Sequence, residues 1–222
     1  MGFLIYNMQL DSIGFITSLT PFSDKDLIAK FFTKDFGVIS GIIKSGQIKK
    51  NKTFVGNFGN VSWIARIDTQ LGIFHFEEKK NLIAKHIPIA KSSFAISNLF
   101  ELINSFLPER EQYKELFNDT LNFIETLELN KIEQMYLNWE INLLKNLGYA
   151  IDVSKCCNCG NIDKLKYISP KTGRAVCENC GKIYDNKLLK MPVSLDTTKR
   201  LLENISLEIN KPIPVIRNIL KF

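Results

Sequence analysis

The chain has 222 residues, 45% hydrophobic, 23% charged and 11% aromatic, enough apolar material for one large packed domain or two small ones. Its apolar runs stop after a few residues, far short of the roughly 20 that a membrane-spanning helix needs, and Met1 to Met8 lacks the basic start and long apolar stretch of a signal peptide. An intracellular address is therefore expected. The net charge of +6 is uneven: 10 basic and 7 acidic residues over 1–80, 6 and 10 over 81–154, 10 and 4 over 155–200, 3 and 2 over 201–222. Two basic parts flank an acidic middle, a distribution that suits a polyanion such as nucleic acid and equally a solvated surface.

From Leu10 to about Phe76, short runs rich in Ile, Val, Phe and Thr are cut by turn residues about every eight to twelve positions, the pattern of a small all-β unit. Strands are expected at Ile13 to Leu19, Leu27 to Thr33, Val38 to Ile43, Val61 to Ile67 and Ile73 to Phe76. Lys34-Asp35-Phe36-Gly37 reads as a hairpin turn in which Gly37 supplies positive φ. Five short strands in this length predict a small closed or partly open barrel over 1–80. The oligonucleotide-binding fold has this strand count, and spacing alone does not separate it from an SH3-like barrel.

Between the third and fourth strands lies the basic run Lys44-Ser45-Gly46-Gln47-Ile48-Lys49-Lys50-Asn51-Lys52. Such a loop can track a phosphate backbone, with Lys44, Lys49, Lys50 and Lys52 as candidate DNA contacts; the competing reading is a solvated loop. The nearby Phe54, Phe58, Trp63 and Arg66 offer stacking surfaces. Arg66 is kept as a DNA candidate, and the aromatic side chains, lying in short strands, are expected in the core. Gly41 and Gly46 have the spacing of a phosphate-binding loop, but Gln47-Ile48 stands where Lys and Ser or Thr are required.

After Pro88 the apolar period becomes helical: Ile96, Leu99, Phe100, Ile103, Phe106 and Leu107, then Tyr113, Leu116, Phe117, Leu121, Ile124 and Leu127, then Ile132, Met135, Tyr136, Trp139, Leu143, Leu144 and Leu147. Three amphipathic helices in succession predict a bundle. Pro108 breaks the first from the second, and Gly148 is placed to end the third. Glu109, Glu111, Glu115 and Asp119 fall at helical spacing and read as a solvated face. A cysteine-bearing segment at about 155–183 interrupts the helices, which resume with Ser194 or Asp196 as N-cap and a last pattern at Val215, Ile216, Ile219 and Leu220. The division expected is a barrel over 1–80 and a helical domain over 81–222 carrying the insertion.

Within the insertion, Cys156-Cys157-Asn158-Cys159-Gly160 and Cys177-Glu178-Asn179-Cys180-Gly181 form two Cys-x-x-Cys-Gly knuckles. Each presents two thiolates to one ion while its glycine lets the backbone turn toward the sulfurs, so Cys156, Cys159, Cys177 and Cys180 are the candidate zinc ligands. Cys157 is surplus, because only Cys156 has the two-residue spacing to Cys159. Two disulfides are the competing use, poorly suited to an intracellular chain, and iron is another metal that such a cage holds. Four thiolates close the coordination sphere, so the metal is expected to be structural. The chain has two histidines, His75 and His86, and no His-Glu-x-x-His, Gly-x-Ser-x-Gly or dinucleotide fingerprint. No catalytic residue is assigned.

The order of barrel strands, helices and inserted knuckles resembles the bacterial RecO family of recombination mediators. The likeness rests on Asp26-Leu-Ile-Ala-Lys-Phe-Phe-Thr33 with Gly37-Val-Ile-Ser40, Trp63-Ile-Ala-Arg-Ile-Asp68 with Leu71-Gly72, and Leu107-Pro-Glu-Arg-Glu111. It continues through Trp139-Glu140 with Leu143-Leu144 and Leu147-Gly148, then Tyr167-Ile-Ser-Pro-Lys-Thr-Gly173 leading to Cys177, with Leu188-Leu189 and Pro192. It covers about residues 10–200. The resemblance implies an oligonucleotide-binding barrel, then a helical domain with a structural zinc ribbon, and a protein that binds single- and double-stranded DNA and anneals complementary strands. It implies work with RecR, with RecF as a further partner, to help RecA replace single-strand-binding protein, whose C-terminal tail is another partner. No nucleotide hydrolysis and no membrane contact is implied; the address is the cytoplasm, with association to the nucleoid during repair. Family members start close to the first strand, which makes Met8 the expected initiator and residues 1–7 an unstructured extension. Arginines are common in the family where this chain has Gln47-Ile48-Lys49-Lys50, and lysine acts as a point charge where arginine makes a bidentate fork.

The expected fold class is thus α+β, a small five-stranded OB-like β-barrel followed by an α-helical domain with an inserted four-cysteine zinc ribbon. The leading function is a non-enzymatic DNA-binding mediator of repair. A zinc-ribbon adaptor binding RNA or a protein partner is the alternative, and a metal-dependent enzyme would need an open metal site.

Overall fold

Strands form where the short apolar runs predict them: β1 (Met8–Pro21), β2 (Leu27–Thr33), β3 (Gly37–Ile43), β4 (Phe58–Ala65) and β5 (Gly72–Lys80). The computed structural model describes residues 8–46, 53–67, 70–220 and 222; residues 1–7, with the expected extension before Met8, lie outside them. The strands close in the order β1-β2-β3-β5-β4, with β4 antiparallel to β1 and β5 parallel to β3. This crossing makes the five-stranded Greek-key barrel of the oligonucleotide-binding architecture. Ile16, Phe31, Ile39, Trp63 and Phe74 fill its interior, each essentially unexposed. In the hairpin turn Gly37 has φ +62°, and a side chain there would also collide with the Glu111 carbonyl oxygen.

The chain divides into two compact units, Met1–Leu127 and Glu128–Phe222. The first holds the barrel with α1 (Ala90–Phe106) and α2 (Lys114–Thr126); the second begins with α3 (Ile132–Asn146). The three helices predicted as one bundle are therefore shared between the units, whose division falls after Leu127 rather than after residue 80. The reason lies in β1 and β2, which are buried on both faces, β1 near its middle and β2 toward its end. Ile16 and Phe31 point into the barrel, whereas Phe15 and Phe32 point outward: Phe15 meets the rings of Phe100 and Phe117 at 5.9 and 5.7 Å, and Phe32 meets Phe117 at 5.5 Å. Thr17 Oγ1 donates to Asn104 Oδ1 at 2.7 Å beside them. A barrel with an apolar outer stripe needs helices against it, and α1 and α2 supply their buried faces.

One seam of the barrel is completed by a connection. β3 pairs with β5 only from Gly41 to Ile43, leaving its Val38 end open. Residues 107–111 cross that opening: Glu109 bridges Val38, and the Arg110 amide donates to the Val38 carbonyl at 2.8 Å. The Arg110 guanidinium stacks 4.7 Å from the Trp63 ring centroid, and Glu109 accepts from Ser40 Oγ at 2.6 Å. The Leu-Pro-Glu-Arg-Glu segment is thus a strap across the barrel: Glu109 and Glu111 are exposed, as expected, but they lie in this strap before the helix that starts at Lys114 and not on a helical face.

In the second unit a three-stranded sheet of β6 (Leu165–Ile168), β7 (Ala175–Cys177) and β8 (Leu189–Lys190), in the order β7-β6-β8, carries the knuckles. A short α4 (Glu178–Gly181) follows β7. Then come α5 (Leu195–Glu208) and α6 (Val215–Asn218). Ser194 is the N-cap of α5 in a reciprocal box with Thr197, choosing between the two residues the sequence offered. Among the described residues no helix is long and apolar enough to cross a membrane.

Candidate metal centre and nucleic-acid interface

The sulfurs of Cys156, Cys159, Cys177 and Cys180 all lie within 4.8 Å of one another. Cys156 comes from the first knuckle, where its amide donates to the Asn161 carbonyl and its carbonyl accepts from the Gly160 amide at 2.9 Å. Cys177 ends β7, and Cys180 sits in the one-turn α4. The second knuckle approaches the sheet so closely that a Cβ on Gly181 would lie 2.3 Å from the Tyr167 ring. Leu165, Tyr167, Val176 and Leu188 form a small apolar cluster around Cys156 and Cys177.

This arrangement fits a tetrahedral thiolate-bound ion. With metal–sulfur bonds of about 2.3 Å, a tetrahedron places its sulfurs roughly 3.8 Å apart, and Cys159 and Cys177 stand at 3.7 Å. All five cysteines are free thiols, which removes the disulfide reading. The thiols are also electrostatically unlike one another. Against burial, which opposes ionisation, the backbone amides of Cys177, Cys159 and Asn158 pull the Cys156 thiol down to about 6. Cys159 accepts from the Asn161 amide, yet the facing thiols of Cys156, Cys180 and Cys177 push it up to about 12. Four sulfurs at this spacing cannot all carry charge without a cation among them. The Asn158 amide side chain donates to Cys180 Sγ at 3.3 Å, a contact that joins the knuckles. Cys157 is exposed and stands outside the cluster; its amide donates to the Ala175 carbonyl at 2.8 Å.

Of the barrel's basic candidates, Lys44 is half exposed and ion-paired, with Nζ 2.8 Å from Asp26 Oδ2. Asp26 also accepts from the Ser45 amide at 3.1 Å, and Lys44 followed by that amide holds its carboxyl below the usual range. Asp26 thereby anchors the start of the basic loop. Lys49, Lys50 and Lys52 lie outside the described residues. Arg66 is exposed just beyond β4. Phe58 and Trp63 are core residues, as expected, whereas Phe54 is 55% exposed at the far end of the loop. Its position before β4 rather than in a strand explains the difference.

The family model described as "Recombination protein O C terminal" matches residues 91–219. The curated DNA repair protein RecO of Rickettsia canadensis (strain McKiel) is 34% identical over 200 residues, 88% of this chain and 83% of the relative. The DNA repair protein RecO of Rickettsia typhi (strain ATCC VR-144 / Wilmington) is 35% identical over 187 residues, 83% of this chain and 79% of the relative. The chain belongs to the RecO family.

Family membership fits the order of barrel, helices and knuckles, and the matched span includes the strap at 107–111 and the pair Trp139-Glu140. Glu140 shows why a charge can occupy a helix's buried face. It is fully enclosed, and Arg217 of α6, 3% exposed, donates from Nε and Nη2 to its two oxygens at 2.6 and 2.9 Å. Tyr136 donates to the same carboxylate at 3.3 Å, as does Thr198, while Arg217 Nη2 reaches the Leu195 carbonyl at 2.7 Å. Sequence reading missed this clasp. Glu140 lies one residue after Trp139 on a helix otherwise read for apolar period, and its partner is 77 positions away.

Proposed function

We propose that this chain is a DNA-binding mediator of recombinational repair, which holds single strands, anneals complementary ones, and with RecR and RecF loads RecA onto DNA covered by single-strand-binding protein. The observation that carries the reading is membership of the RecO family along most of the chain. A five-stranded oligonucleotide-binding barrel bearing a lysine-rich loop supports it. The work is electrostatic and stoichiometric. Lysines that neutralise the phosphates of two strands cut the repulsion opposing their approach, and counterion release favours the complex. The helical segments offer surfaces for RecR and for the acidic tail of single-strand-binding protein, and the protein acts in the cytoplasm, at the nucleoid during repair.

In this reading Cys156, Cys159, Cys177 and Cys180 hold a zinc ion that is structural, because four thiolates complete its coordination sphere. Lys44, Lys49, Lys50, Lys52 and Arg66 supply the positive charge that meets phosphate, Lys44 from its pair with Asp26. Binding of labelled single-stranded DNA measured against salt tests the loop. Replacing Lys44, Lys49, Lys50 and Lys52 by alanine should reduce the slope of log K against log salt by roughly 2 to 3 and slow annealing; an unchanged slope and annealing rate would remove the loop from the interface.

A further inference from the structure

The tip of the zinc ribbon puts large apolar side chains in water beside lysines. Ile183 is 81% exposed and Tyr184 54% exposed, in the single 3-10 turn Lys182–Tyr184 that follows the second knuckle. Neither side chain is needed to hold the turn. The Tyr184 carbonyl accepts from the amides of Lys187 and Leu188 at 2.8 and 3.1 Å, and Gly181 is clamped against Tyr167. The turn is fixed by its backbone and by the metal knuckle, leaving two side chains presented on a rigid base.

The charges around this tip are sorted. Lys164, Lys166 and Lys182 all act on one carboxylate, Glu178, which Lys166 binds directly at 2.7 Å. The acid within the tip, Asp185, is engaged by the Tyr167 hydroxyl. Lys182 and Lys187 are exposed, and among the described residues neither they nor Lys164 makes an ion pair. Glu178 and Asp185 are thus engaged by Lys166 and Tyr167, Asp163 stands exposed next to Lys164, and Lys182 and Lys187 are exposed cations flanking an exposed aromatic ring.

We propose that this tip is a second contact for single-stranded nucleic acid, in which Lys164, Lys182 and Lys187 meet phosphates while a base stacks on Tyr184 and packs against Ile183. The chemistry matches the general design of single-strand binding, in which cations follow the backbone and an aromatic face takes a base of any identity. The rigid turn means that little order must be gained on binding. This inference rests on the DNA-binding reading and adds to it a site remote in sequence from the barrel loop.

The test uses the full zinc-loaded chain and a labelled oligothymidine, with affinity read by fluorescence anisotropy across a salt series. Tyr184→Ala should weaken binding by about 5- to 150-fold, the range for one stacked base, with zinc content and circular dichroism unchanged. Tyr184→Phe, which keeps the ring, should bind as the parent does. Replacing Lys164, Lys182 and Lys187 by alanine should lower the salt slope by roughly 2, in addition to any change from the barrel-loop variant. Tip variants that match a parent able to bind overturn this site and leave the repair reading standing, also if they lose a protein partner instead. A parent that binds no DNA overturns both.

Discussion

The two compact units solve the problem of stability with different materials. The first buries aromatic side chains in quantity, Phe15, Phe31, Phe32, Trp63, Phe74 and Phe117 all lying at 0% exposure. The second places between its elements a cage of four thiols and a Glu140–Arg217 pair closed to water. Apolar burial is non-directional and responds weakly to the ionic conditions around it, whereas thiolate cages and buried ion pairs hold only while every charge has its counterpart. The barrel unit should therefore be robust to chemistry that dismantles the other.

The largest effect expected is from the metal. Structural zinc sites release about 10–16 kcal/mol on binding, so chelation, or Cys177→Ser, should unfold the ribbon while calorimetry still records the barrel's transition. Cys157→Ser should leave both in place. Zinc retained at full stoichiometry in Cys177→Ser would show that the four-sulfur assignment is wrong.

Next comes the buried pair. Arg217→Met strands an ionised carboxylate in the interior, and the expected loss is about 3–5 kcal/mol, measured by denaturant unfolding of the second unit. Joining it to Glu140→Met should restore most of that loss, because the unpaired charge goes with the group. A double variant as unstable as the single one would mean that the clasp does more than neutralise its own members.

The smallest effect belongs to the barrel unit and would sharpen the contrast. His86, 4% exposed, hydrogen-bonds through Nε2 to the Ile124 carbonyl at 2.9 Å. Burial holds its imidazole below the ordinary 6.5, Lys85 adds to that, and the Ile124 carbonyl opposes both. The unfolded chain takes up this proton first as pH falls, so the contribution is whole above about 6.5 and declines below it. A modest fall in the first unit's melting temperature between pH 7 and pH 5 should accordingly disappear in His86→Asn. A pH profile unchanged by that substitution would assign the sensitivity elsewhere.

Much of this is legible in the sequence because the relevant patterns are local. β2 runs residue for residue as predicted, from Leu27 to Thr33, since its ends are set by adjacent polar and turn residues. The Cys-x-x-Cys-Gly pairs announce convergence because a knuckle is a local turn. Less legible are contacts that join distant positions. Nothing near Phe15 indicates that its outward ring meets Phe100 and Phe117, so periodicity alone groups the first two helices with the third. Nothing near Lys44 says that Asp26 across the hairpin neutralises it.

By itself the sequence determined the strands, the helices, the four-sulfur set with its spare thiol, and the family, because periodicity, turn chemistry and ordered motifs are properties of neighbours along the chain. Only the tertiary structure decided which helices cover the barrel, that the segment 107–111 straps its open seam, that Glu140 and Arg217 share one buried clasp, and that Tyr184 stands in water on a rigid turn. Each depends on which surfaces of separate elements are left uncovered when the chain packs, and burial is settled in three dimensions.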